Sequence, residues 1–295
     1  MEPRLSFYKE ISRNKRNSFL LITIVLLVLL SLVYSISAVV SQEYTFIILI
    51  FGTIISILYV VVSYYKSADI AIASVGAKPA SSSQYKRYND LVEGIALASG
   101  LPKPKLYIME DNQINAFASG RDPQSAVICV TTGALEKLDK QELEGVIAHE
   151  MSHIANYDIR FMTLTAVLVG LISIVSQVFL RSLWFGAGSG DKDSKNWIFL
   201  IIAIVLAVLS PILVALVQLA ISRKREYAAD STAVKFMRTP TGLKNALIKI
   251  QNNADTRIKV PDAVSSLFLA KPSKTKEWFS THPPLSKRIA KLENM

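Results

Sequence analysis

The sequence predicts a mainly α-helical membrane protein, with four transmembrane helices and a cytoplasmic α+β region that contains a small sheet. Three observations carry this. Four apolar runs are each long enough to cross a bilayer as a helix, which takes about 20 residues. Lysine and arginine gather at one end of each run. Between the second and third runs the pattern changes to short β-branched stretches set among amphipathic segments. Composition agrees: 51% of the 295 residues are apolar and the mean hydropathy is +0.34, high for a soluble chain.

The first run, Ser18 to Val40, holds no charged residue. A cleaved signal peptide would have a shorter apolar core and no second span a few residues later. The second run, Tyr44 to Tyr65, starts and ends on tyrosines suited to the membrane interface, and together the two form a hairpin (18–65). A second hairpin (161–221) comprises Phe161 to Leu183 and Trp197 to Ile221. Pro211 lies inside the last run, where a membrane helix tolerates a kink. Trp184 to Asn196 is a glycine-rich polar loop. The N-terminal segment 1–17 carries Arg4, Lys9, Arg13, Lys15 and Arg16, while Ser41 to Glu43 carries no base. Lys66, Arg160 and Arg223 to Arg225 flank the other cytoplasmic ends. The loop between spans three and four offsets Lys192 and Lys195 with Asp191 and Asp193. Both termini, segment 66–160 and segment 222–295 are therefore expected in the cytoplasm.

Within 66–160, Lys78 to Ser83 reads as a Pro/Ser linker and Tyr85 to Ser99 as a helix stopped by Gly100. Lys105 to Met109 and Ala126 to Thr131 read as strands, with a turn and an extended stretch over Asp111 to Gly120. Thr132 to Lys137 is a short helix. Asp139, with Glu142 three residues on, opens a longer helix through a capping box. Cys129 is the single cysteine, so no intrachain disulfide can form and a reducing compartment is expected. The net charge of +10 sits beside the apolar runs, where it sets topology and meets anionic lipid. No nucleic-acid motif accompanies it, so no nucleic-acid partner is expected.

The capped helix carries His149-Glu150-Met151-Ser152-His153. Residues four apart share a helical face, so both imidazoles can reach one zinc ion while Glu150 reaches water beside it. The chain has only 3 histidines, so there is no pool of core histidines to imitate the pattern. Glycine and histidine at 156 and 159 would supply a third ligand in a metzincin, but Asn156 and Ile159 stand there. Downstream, Glu226 follows the fourth run directly, in Arg225-Glu226-Tyr227-Ala228-Ala229-Asp230. If both helices run on unbroken, His153 stands roughly 12 Å above span three and Glu226 roughly 8 Å beyond span four, at about one height. Asp230, one turn after Glu226, can accept a hydrogen bond from a ligating histidine.

Three patches then resemble the membrane-bound HtpX-type metalloproteases, relatives of the CaaX prenyl proteases: Asn115-Ala116-Phe117-Ala118, Ala148 to His153, and Arg225 to Asp230. Thr281-His282-Pro283-Pro284 is a weaker fourth. The resemblance implies a gluzincin-like catalytic domain holding one zinc per chain. It also implies proteolysis of membrane proteins or polypeptides, in the family's role of membrane-protein quality control. The expected ligands are His149, His153 and Glu226, with Asp230 behind them. Glu150 is the expected general base and His282 the candidate oxyanion donor. Asn115, Ala116 and Phe117 are expected to bind the substrate as an added strand. Two other readings stay open: a zinc-binding membrane scaffold without proteolytic activity, and a CaaX-type prenyl-peptide protease. Charges well inside the spans would signal a transporter, and none lies well inside the four runs. Substrate, oligomeric state and gating are not legible; 184–196 and 253–278 are candidate gates.

Overall fold

The computed structural model of the chain describes residues 7–39, 45–166, 223–253, 267–269 and 283–295. It is rich in helix with one small mixed sheet. Helices α1 (Phe7–Val39) and α2 (Thr45–Tyr65) pack against each other. Among the described residues, α2 is the helix long and apolar enough to cross a membrane, with a mean hydropathy of 2.7. Apolar side chains such as Phe19, Leu27, Phe46, Phe51 and Ile55 stand exposed on the pair. The expected third and fourth spans fall largely outside the described residues.

The short helix α3 (Ser67–Ser74) leads to the sheet. Strands β1 (Lys78–Pro79), β2 (Lys105–Met109), β3 (Ala116–Ser119) and β4 (Val127–Thr131) are ordered β1-β2-β4-β3. Strands β2 and β4 are parallel and the outer pairs antiparallel. The linker expected at Lys78 to Ser83 is therefore partly an edge strand. Two exposed residues carry no alternation to announce it, and a proline is tolerated at a sheet edge. Helix α4 (Lys86–Ser99) ends on Gly100 at φ 68, the left-handed cap that glycine adopts freely. Helix α5 (Thr132–Lys137) follows β4 directly.

Helix α6 (Lys140–Ala155) is the centre of the region that follows α3. Its capping box is formed in both directions: the Glu142 amide donates to Asp139 Oδ1 at 2.9 Å, and the Asp139 amide to Glu142 Oε2 at 2.8 Å. From Val146 to Ala155 every residue is buried, so α6 is covered all round. Around it lie α4, β3, α8 (Arg223–Met237) and α9 (Thr241–Asn252). A side chain on Gly145 would meet the backbone of Gly242 and Leu243. Glycines at both positions thus let α6 and α9 cross at backbone distance.

The chain does not pass unbroken from His153 into the expected third span. Helix α6 ends at Ala155, Asn156 caps it, and Tyr157 turns left-handed at φ 58. A new helix, α7, starts at 158 and is described over 158–166. The Lys15 ammonium lies 4.4 Å over the Tyr157 ring and the Arg160 guanidinium 5.5 Å from it, cation–π contacts that hold the turn. The last helix, α10 (Leu285–Glu293), packs on α9 and α8.

Candidate metal centre

The four-residue spacing puts His149 and His153 on one face of α6, their rings edge to face with centroids 4.8 Å apart. Glu226, in the first turn of α8, faces them. The two Nε2 atoms are 3.2 Å apart. Glu226 Oε2 is 3.6 Å from His149 Nε2, and Oε1 is 3.7 Å from His153 Nε2. Two donors bonded to one tetrahedral zinc at about 2.0–2.1 Å stand roughly 3.3 Å apart. The trio, all buried, therefore fits a single small divalent ion.

Each imidazole is fixed from behind. His149 Nδ1 lies 3.0 Å from Asp230 Oδ1, and His153 Nδ1 lies 3.1 Å from Asp158 Oδ2. A carboxylate there accepts a hydrogen bond from the Nδ1–H and leaves the Nε2 lone pair for a metal. Asp230 is held in turn by Arg288, whose Nη2 and Nε donate to its two oxygens at 2.7 and 2.9 Å. Arg288 Nη1 is also 3.3 Å from Glu226 Oε2. Burial and the nearby Arg288 disfavour a charged His149. The hydrogen bonds to Asp230 and Glu226 outweigh both and push its pKa up to about 9. Burial likewise opposes the Asp230 charge, but Arg288 and His149 prevail and hold its carboxyl below the usual range.

Glu150, beside His149, is buried, and burial raises its pKa against the pull of the two histidines. Asn115 is buried and its Oδ1 accepts from the Ala116 amide at 3.0 Å. Phe117 points away from α6, into a cluster with Cys129 and Phe268, its ring 4.9 Å from that of Phe268. The Leu269 amide donates to the Ala116 carbonyl at 3.0 Å, so a piece of the segment read as a candidate gate touches the strand read as substrate-binding. Burial pushes the Cys129 thiol up, which leaves it neutral and inert. His282 lies outside the described residues.

The structure thus brings together His149, Glu150, His153, Glu226 and Asp230. It adds Arg288 and Asp158, which the sequence reading missed. Arg288 had a signal: it lies on the stripe Leu285, Ile289, Leu292 that α10 turns to the core, where a solvated arginine would not be placed. Asp158 had none, because its role depends on the left-handed turn before it.

Residues 82–295 match the model of peptidase family M48. A protease HtpX homolog of Thermoanaerobacter pseudethanolicus is 41% identical over 99% of this chain and 99% of its own length. Homologs of the same name from Caldanaerobacter subterraneus and Streptococcus pyogenes are 41% and 36% identical, each over 98% of this chain and 98% and 99% of their own lengths. Among solved structures, the crystal structure of S. mikatae Ste24p aligns at a TM-score of 0.49 with 20% identity, covering 96% of this chain and 66% of that one.

Proposed function

Because the chain belongs to peptidase family M48 and gathers two imidazoles and a carboxylate at ligand spacing, we propose that it is a zinc-dependent endopeptidase of the membrane. The observation that carries the reading is the fit of His149, His153 and Glu226 to one tetrahedral ion. Two imidazoles with one carboxylate suit zinc better than magnesium or calcium, which prefer oxygen donors. Bound there, zinc supplies a Lewis acid that makes water nucleophilic near neutral pH and polarises a carbonyl.

The chain's own residues do the rest. Glu150 accepts a proton from the attacking water and returns it to the leaving amine. Its burial suits a group that must carry a proton for part of the cycle. Asp230 and Asp158 hold the histidines in the tautomer that presents Nε2, and Arg288 fixes Asp230 beside Glu226. The substrate lies along β3 at Asn115, Ala116 and Phe117. There it takes over the Ala116 carbonyl that Leu269 occupies, and main-chain bonds hold it whatever its sequence. His282 supplies the oxyanion donor. Substrates of this kind, membrane proteins or polypeptides, suit a role in membrane-protein quality control.

The exposed apolar faces of α1 and α2 and the charge pattern support a four-span chain with both termini in the cytoplasm. A reporter fused after Met295 should then be active in the cytoplasm, and activity outside would reverse the topology. Replacing the base, Glu150→Gln, should keep the metal and slow cleavage of an unstructured polypeptide by about 10²–10⁴-fold. Cleavage at the wild-type rate would refute the role given to Glu150.

A further inference from the structure

Helix α1 reaches the metal centre. Asn14 stands among basic residues, with Lys15 and Arg16 exposed beside it, yet it is 1% exposed. It lies on the same face as the buried Ser18, Leu21 and Val25, at spacings of one, two and three helical turns. Its Nδ2 donates to Asp158 Oδ1 at 2.7 Å and to the Asn156 carbonyl at 2.9 Å. The other oxygen of Asp158 is the one 3.1 Å from His153 Nδ1. A continuous set of bonds therefore runs Asn14, Asp158, His153.

The backbone explains why such a brace is needed. Asp158 does not continue α6; it follows the left-handed Tyr157, so helical hydrogen bonding does not lock it to His153. Asn14 bonds both sides of that turn, the carbonyl of the cap residue and the first side chain of α7. Among the described residues its Oδ1 has no hydrogen-bond partner. A buried oxygen left unpaired is unfavourable, so the benefit of an asparagine here lies in its NH₂ group. We infer that Asn14 is a positioning residue of the metal centre: it holds Asp158, and through Asp158 the imidazole of His153, so that the first membrane-proximal helix completes the site. The inference rests on the reading of His153 as a metal ligand.

The test uses the full chain in detergent, loaded with cobalt(II) for its visible spectrum and with zinc against a competing chelator. Wild type, Asn14→Ala, Asp158→Ala and the double variant form a cycle. Asn14→Leu, close to asparagine in size, is measured alongside to separate a packing cavity from the lost donor. Arg16→Ala serves as the exposed control. Asn14→Ala and Asn14→Leu should each weaken zinc binding about 10–100-fold, as loss of a ligand's outer support does, and should shift the cobalt spectrum. The double variant should bind no more weakly than Asp158→Ala alone. Wild-type affinity and spectrum in both Asn14 variants would overturn the inference. So would lowered thermal stability with an unchanged cobalt spectrum, which marks a purely structural contact. Additive losses in the cycle would overturn it too, since Asn14 would then act by another route. Wild type that binds neither metal would remove the underlying ligand assignment itself, an outcome visible before any variant is made.

Discussion

Replacing Arg288 with methionine removes a guanidinium that is 0% exposed and lies against two carboxylates. Its bonds to Asp230, at 2.7 and 2.9 Å, form a bidentate charge-assisted pair, and Glu226 is 3.3 Å from its third nitrogen. A surface ion pair of this kind would contribute less than about 1 kcal/mol. Here both acids are buried and water cannot replace the lost partner, so breaking the pair should destabilise the metal-free protein by about 3–5 kcal/mol. Adding Asp230→Leu to the variant takes away the stranded charge and should recover part of that loss. Zinc supplies a cation to Glu226, so the loss should be smaller in metal-loaded than in metal-free protein. Equilibrium denaturant unfolding of the purified chain, with and without zinc, measures all three. A metal-free loss under about 1 kcal/mol would show that Arg288 is not holding the two carboxylates together.

Acidity supplies another test, with a sign that depends on the metal. The pKa of His149 is raised from 6.5 to about 9 in the folded, metal-free protein. That stabilisation is fully present below pH 6.5 and lost as pH rises through about 9, worth about 3 kcal/mol in all. Melting in chelator should therefore fall between those limits, while zinc affinity should rise over the same window because binding expels the proton. A metal-free melting temperature that stays flat or climbs across that window would contradict the geometry around Asp230.

What could be read from the sequence was local. The capping box at Asp139 and Glu142 opens α6 where expected, because both of its bonds lie within four residues. Strand β4 shows in its β-branched run and β2 in its short apolar stretch, and Gly100 ends α4 as a glycine does. The spacing of His149 and His153 needs only a helix to become geometry. Glu226 was within reach because it directly follows an apolar run. The remainder depends on partners far along the chain. Arg288 lies near Asp230 only once α10 has packed on α8, and Asn14 meets Asp158 only once α1 has packed beside α7. The turn at Tyr157 uses a left-handed residue that is not glycine, held by Lys15 from another helix, and no local pattern announces it. The two-residue β1 is too short to alternate. The readings of spans three and four concern residues largely outside those the structure describes, and those of the loop between them and of His282 lie wholly outside.

The central claim is that Glu226 joins the two histidines on one ion. Metal analysis of the purified wild type beside Glu226→Gln tests it most directly. The account predicts about one zinc per wild-type chain, as expected for a three-ligand site with an open position, and little zinc in the variant after mild dialysis against chelator. Equal zinc in the two proteins, each still folded, would contradict it.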